Sequence, residues 1–256
     1  MNNLIKMEWY KLRTTKMFYV LLGVVFGINV LLNAVIPVLF RLIVPDQALS
    51  LSKISDMISS PMSIGLLMLC VFMSAVSFLY SDFTGGYIKN IAGQVKRRGN
   101  IAIAKFVVVG IHNLIFFVVG SASCVLGAAL GGTLSLEGNI GSALLTLLLK
   151  WLLSMALCSI FLFITVGLNS KTFAVIAAVI FAVNALSLAY LGINTAVATV
   201  FKWQNFSFGD YMPDALMGSV NVETGSLVVN ALIVSAVFIV GFLLLTVKTF
   251  ESRDVK

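Results

Sequence analysis

Residues 81–106 read SDFTGGYIKNIAGQVKRRGNIAIAKF, a basic stretch between two long apolar segments. Lys89, Lys96, Arg97, Arg98 and Lys105 gather here in a chain with few charges elsewhere. Membrane proteins hold such clusters on the cytoplasmic side of the bilayer, so this stretch orients the apolar segments that flank it. Phe83–Asn90 reads as a short helix lying along the membrane. Ile88, Ile91 and Val95, at i, i+3 and i+7, give it an apolar stripe. A loop that only orients its neighbours needs no stripe, whereas a helix seated in a groove of a cytoplasmic partner does.

Working outward, the 256 residues are 60% hydrophobic and 11% charged, where ordinary soluble domains carry roughly 25% charged residues. So much apolar surface requires the bilayer as its solvent. Six segments are long and apolar enough to span it: 17–40, 61–80, 101–132, 143–168, 172–191 and 227–247. The expected fold is an all-α integral membrane protein, a single transmembrane domain over 1–256 with no soluble domain. Pro61 opens the second span, where a missing N–H costs least. The third is over-long, so a tilt, a break or a cytoplasmic extension is expected. Asn169-Ser170-Lys171 forms a tight turn before the fifth.

Two parts do not span. Met1–Lys16 carries Lys6, Glu8, Lys11, Arg13 and Lys16, and reads as a retained segment rather than a cleaved signal peptide. Its Leu4, Ile5, Trp9 and Leu12 at helical spacing point to an interfacial helix. Residues 192–226 mix Trp203, Phe206, Phe208 and Tyr211 with polar residues, Pro213 and glycines. They are expected to form an outer re-entrant or interfacial element before the last span.

Six crossings leave both termini on one side. With that side cytoplasmic, thirteen of the 17 Lys and Arg residues lie inside, only Arg41, Lys53 and Lys202 lie outside, and Lys150 falls within the fourth span. The acids Asp46, Asp56, Glu137, Asp210, Asp214 and Glu223 lie outside. The reverse arrangement breaks the positive-inside rule. The net charge of +7 is therefore a topology signal, not a nucleic-acid patch on a polar domain.

The chain resembles the membrane subunits of type-2 ATP-binding-cassette (ABC) transporters. Their pattern is an acid after the second span, a glycine three or four residues on, a short amphipathic segment, a basic residue, and a lysine opening the third span. Asp82, Gly85 and Gly86, Tyr87-Ile88-Lys89-Asn90, Arg97 and Lys105 stand at those places. The N-terminal KMEWYKLRTTKMFYVLL is similar to that of the small bacterial permeases of this family. Gln94-Val95-Lys96 departs from the pattern, since many members have proline just before the basic residue, and this leaves the end of the coupling helix open. The resemblance implies an exporter half in a bacterial plasma membrane. It pairs with a second permease, identical or sister, and with cytoplasmic ATPase chains that hold ATP and Mg. The segment Asp82, Phe83, Gly85–Asn90 and Arg97 then couples the ATPase to the helices, with Asn169–Lys171 as a smaller contact.

No cofactor is expected in this chain itself, which contains no G-x-x-x-x-G-K-[ST] phosphate loop, G-x-S-x-G or H-E-x-x-H. Cys70, Cys124 and Cys158 each sit inside an apolar run, and one histidine makes a poor partner for a Cys/His metal cluster. Polar residues inside spans are costly in lipid and become the remaining candidates. Asn29 and Asn33 share one face of the first span, and Asn184 lies in the fifth; each either lines a path or bonds between helices. Lys150 either snorkels to the outer headgroups beside Trp151 or pairs with an acid or an anionic group of a substrate. His112 and Asn113 lie within the third span, and Gly127/Gly131 and Ala128/Gly132 give small-xxx-small spacing for packing within the subunit or across a dimer.

Three function classes compete. A permease of an ABC exporter, in this family often for antimicrobial-type amphipathic peptides, follows from the resemblance. An ion-driven secondary transporter calls for intramembrane acids and inverted repeats, and an intramembrane enzyme calls for a nucleophile–base pair or a metal set; the chain offers little of either.

Overall fold

The computed structural model describes residues 2–43, 51–61, 65–84, 99–203, 206–222, 225 and 227–252. Its helices are α1 (Asn2–Thr14), α2 (Lys16–Ile43), α3 (Ile54–Ser59), α4 (Gly65–Thr84), α5 (Gly99–Leu130), α6 (Ile140–Leu162), α7 (Lys171–Ala182), α8 (Ser187–Phe201), α9 (Pro213–Ser219) and α10 (Val228–Ser252). A π-helical turn, Phe163–Gly167, prolongs α6, and a 3-10 turn, Phe208–Tyr211, precedes α9. Two short strands, β1 (Ser52–Lys53) and β2 (Leu134–Ser135), pair in parallel and join the loop after α2 to the loop after α5.

The chain is an all-helical membrane protein. By length and apolar composition α2, α5, α6 with its π turn, and α10 can each cross a bilayer. The pair α7 and α8, bent by 69°, makes a broken fifth crossing, and the apolar part of α4, Gly65–Ser81, is shorter. The expected third span is one unbroken helix of 32 residues, about 48 Å at 1.5 Å per residue, which leaves its first turns available as an extension beyond the apolar layer.

Three boundaries differ from the sequence reading. The fifth span is not a straight helix over 172–191. The chain breaks at Val183–Leu186, where Asn184 adopts a left-handed φ of 53°, a conformation asparagine tolerates better than most residues. Residues 192–201, expected to be irregular, instead continue α8 as far as Phe201, and the helix ends only where Lys202 turns left-handed at φ 56°. Pro61, expected to open the second span, stands in a turn, and the described helix Gly65–Thr84 runs past Tyr80 through Asp82. Side-chain caps sharpen two starts. The Asn139 carboxamide oxygen accepts from Gly141 and Ser142 N–H at α6, and Ser170 Oγ accepts from Phe173 N–H at α7.

Helices α5 and α6 bury most of their residues and form the centre, while α2 and α10 bury few and lie outermost. Lipid provides no hydrophobic force between helices, so close approach through small residues and internal polar ties holds them together. A Cβ at Gly127 would come within 2.9 Å of Asn33 Cβ, and one at Gly131 within 2.6 Å of the Asn33 carbonyl oxygen. The small-residue stripe therefore seats α5 against α2 inside the subunit.

Helix α1 packs its apolar stripe on the bundle: Leu12 is buried in the core, and Leu4, Ile5 and Trp9 rest against it. Glu8 and Lys105 meet at 3.2 Å with side chains 0% and 1% exposed. Lys11 approaches the other Glu8 oxygen at 3.4 Å, and the Lys105 ammonium stands 5.3 Å from the Phe78 ring centroid. This contact clamps α1 to the start of α5. Breaking one half of a buried pair leaves a charge without its partner, at about 3–5 kcal/mol, while replacing both halves by apolar residues is often neutral. Lys105→Met is accordingly expected to lower the thermal midpoint in detergent micelles, and Glu8→Leu/Lys105→Met to recover most of the loss.

Candidate functional site

Two adjoining cavities share Ser60, Lys150 and Gly218 in their linings. One, of about 330 Å³, is lined by the polar residues Ser60, Lys150, Asn184 and Asp214 and the apolar residues Met68, Phe72, Phe117, Leu157 and Phe181. The other, of about 420 Å³, is lined by Asn29, Asn33, Asp56, Ser59, Ser60, Thr146, Lys150 and Asn221, with Cys124. The site is thus supplied by α2, the loop before α4, α6, the α7–α8 break and α9.

Lys150 lies ten residues into α6, about 15 Å along its axis. Its ammonium donates to Ser60 Oγ at 3.1 Å. Among the described residues no carboxylate reaches it at ion-pair distance. It thus lines the cavities instead of only snorkelling outward. Trp151 does not mark a headgroup region either, since its indole N–H donates to the Gly110 carbonyl inside the bundle at 3.1 Å.

The three path candidates all reach this region. Asn29, 3% exposed, donates from Nδ2 to the Pro61 carbonyl at 3.2 Å and so fixes the loop before α4. Asn33 donates to the Asn29 carbonyl at 2.8 Å. Asn184 forms the break itself and borders the smaller cavity. Their hydrogen bonds lie within the subunit. Of the coupling candidates, Asp82 and Phe83 fall on the last turn of α4, whereas Gly85, Gly86, Tyr87, Ile88, Lys89, Asn90 and Arg97 lie outside the described residues.

Sequence reading passed over Ser60, Tyr190 and Asp214 as site residues. The Tyr190 hydroxyl stands 2.9 Å from both oxygens of Asp214, a residue that borders the smaller cavity, and ties α8 to α9. Burial raises the Asp214 carboxyl above its usual range, against the Tyr190 hydroxyl and the backbone N–H groups of Asp214 and Ala215, which pull it down. An Asp with a raised folded pKa contributes stability below its unfolded pKa and loses it as the pH climbs through the folded value. The available signal was an acid three residues from aromatic Tyr211, and that does not specify Tyr190, 24 positions away.

A second polar group sits at mid-bundle. Asn113 turns Nδ2 to Ser154 Oγ at 3.4 Å and Cys158 Sγ at 3.2 Å, leaving its Oδ1 to accept from His112 Nδ1 at 2.9 Å. His112 Nε2 then accepts from Ser74 Oγ at 2.8 Å. The chain of bonds staples α4, α5 and α6. Leaving a buried donor without an acceptor costs about 1–3 kcal/mol, whereas removing both partners costs less. Asn113→Ala is expected to lower the thermal midpoint more than His112→Leu/Asn113→Leu does.

The family described as ABC-2 family transporter protein matches residues 4–185. The chain belongs to this family: it is a type-2 ABC permease, the membrane component of an ABC exporter. Permeases of the family work with a cytoplasmic ATPase. No curated protein and no solved structure matches the chain. The matched stretch carries Asn29, Asn33, Ser60, Lys150 and Asn184, while Tyr190 and Asp214 lie beyond it.

Proposed function

We propose that this permease forms half of a translocation path for amphipathic, antimicrobial-type peptides, with a second copy or a sister permease as the other half. A separate cytoplasmic ATPase holds ATP and Mg and drives it. The termini and the basic 81–106 stretch face the cytoplasm of a bacterial cell, because the reverse arrangement breaks the charge rule. Coupling runs through Asp82, Phe83, Gly85–Asn90 and Arg97, with Asn29, Asn33 and Asn184 on the path.

The observation that carries the reading is the mixed lining of the smaller cavity beside Lys150, where Ser60, Asn184 and Asp214 share the wall with phenylalanines and leucine. Such a lining suits cargo that partitions into the membrane better than a small hydrated ion. The ion-driven alternative needs acids in the membrane interior, and the spanning helices α2, α5 and α6 carry none.

Co-purification of the tagged chain from its native membrane tests the partner assignment: a stoichiometric ATPase is expected, and a chain that comes alone overturns it. For the coupling segment, Gly86→Trp/Lys89→Glu is expected to abolish ATP-driven peptide transport in proteoliposomes while membrane insertion is unchanged. Full transport and ATPase binding in that variant would remove the segment from the mechanism.

A further inference from the structure

We infer that the cavities around Lys150 bind an amphiphile through a single anionic headgroup, a carboxylate or a phosphate, with its apolar chain against Phe72, Phe117 and Leu157. The inference rests on the permease reading and specifies what its site recognises.

Three observations converge on it. The Lys150 ammonium is inside the bundle with Ser60 Oγ as its hydrogen-bond partner at 3.1 Å. An ammonium has three donors, so an oxyanion arriving from either cavity finds N–H groups aimed at it. No carboxylate of the described residues occupies that place. Of the acids that border the cavities, both oxygens of Asp214 are engaged by Tyr190 at 2.9 Å, and Asp56 lies on the exposed rim of the larger cavity without pairing with the lysine.

The second observation is the polarity of the wall. The smaller cavity is lined both by polar groups, Ser60, Lys150, Asn184 and Asp214, and by apolar ones, Met68, Phe72, Phe117, Leu157 and Phe181. A ligand polar throughout would leave the aromatic wall unmatched, and a purely apolar one would bury the ammonium without compensation.

The third is where the charge sits. A lysine some 15 Å into a spanning helix is costly in lipid, and a single serine hydroxyl offsets little of that cost. An anionic ligand supplies a charge-assisted bond that is shorter and about twice as strong as a neutral one.

The test uses the full chain in phosphatidylcholine nanodiscs, with diazirine-bearing dodecanoate, dodecyl phosphate and dodecanol as probes and the labelled residues mapped by mass spectrometry. Either anionic probe is expected to label the Phe72, Phe117 and Leu157 region about tenfold more than dodecanol, and Lys150→Gln to remove the difference while Lys150→Arg keeps it. Dodecanoate labelling alone assigns the site to carboxylates of the peptide C-terminal kind, and dodecyl phosphate labelling alone to lipid-type phosphates. Equal labelling by dodecanol in the wild-type chain overturns the inference and needs no variant to fold. Co-purification of an ATPase without selective anionic labelling refutes the inference and leaves the permease reading standing; selective labelling without an ATPase keeps the site and overturns the partner assignment.

Discussion

The buried contact of Glu8 with Lys105 is the constraint on which the rest of the bundle hangs. A carboxylate and an ammonium withdrawn from water at 3.2 Å hold each other only while both are present and well placed. Their separation in sequence is 97 residues, so one contact fixes where the N-terminal helix lies against the start of α5. From that point α5 runs unbroken for 32 residues. It carries His112 and Asn113 to the middle and Gly127 and Gly131 to the far end, where they seat α2. One anchored helix thereby sets the position of the three elements packed around it.

The polar groups at the middle of that helix are answered from neighbours. Ser74 and Asn113 saturate the imidazole of His112, and Ser154 and Cys158 take the amide hydrogens of Asn113. In a medium that offers no water, such satisfied chains specify which helix lies beside which, a task the uniformly apolar surfaces of α4, α5 and α6 cannot perform. Lys150 differs from this pattern. Its strong charge meets one hydroxyl at the border of two cavities, and the buried acid that shares the smaller cavity, Asp214, is turned to Tyr190. This contrast between a saturated mid-bundle network and a cation with one hydroxyl partner is the basis for proposing a ligand site at the cavities.

Most of the architecture was legible in the chain. Long apolar runs and the bias of lysine and arginine identify a helical membrane protein, and the motif residues around Asp82 and Lys105 pointed to the family that the match over 4–185 establishes. The failures have local causes. The straight fifth span was lost to Asn184, whose left-handed backbone splits an apolar run that hydropathy counts as continuous. The helix Ser187–Phe201 extended into residues read as irregular because Gly192 and Asn194 weaken a helix without ending one. Trp151 looked interfacial because tryptophan favours headgroups, yet a carbonyl on α5 claimed its indole N–H.

What the sequence determined by itself is the material and its direction: a bilayer-dissolved helical chain, a basic face, an N-terminal amphipathic helix, and polar residues rare enough to be suspected. Composition and short-range spacing suffice for these, because each depends on transfer into lipid or on one helical turn. Only the tertiary structure decided the pairings. That Glu8 finds Lys105, that Asn29 holds the Pro61 loop, that Tyr190 takes Asp214, and that Lys150 faces inward to Ser60 rather than outward to lipid are contacts between residues 24 to 97 positions apart. No local pattern encodes them. They arise when helices that lipid holds with little preference settle into the one arrangement that leaves the fewest buried polar groups unanswered.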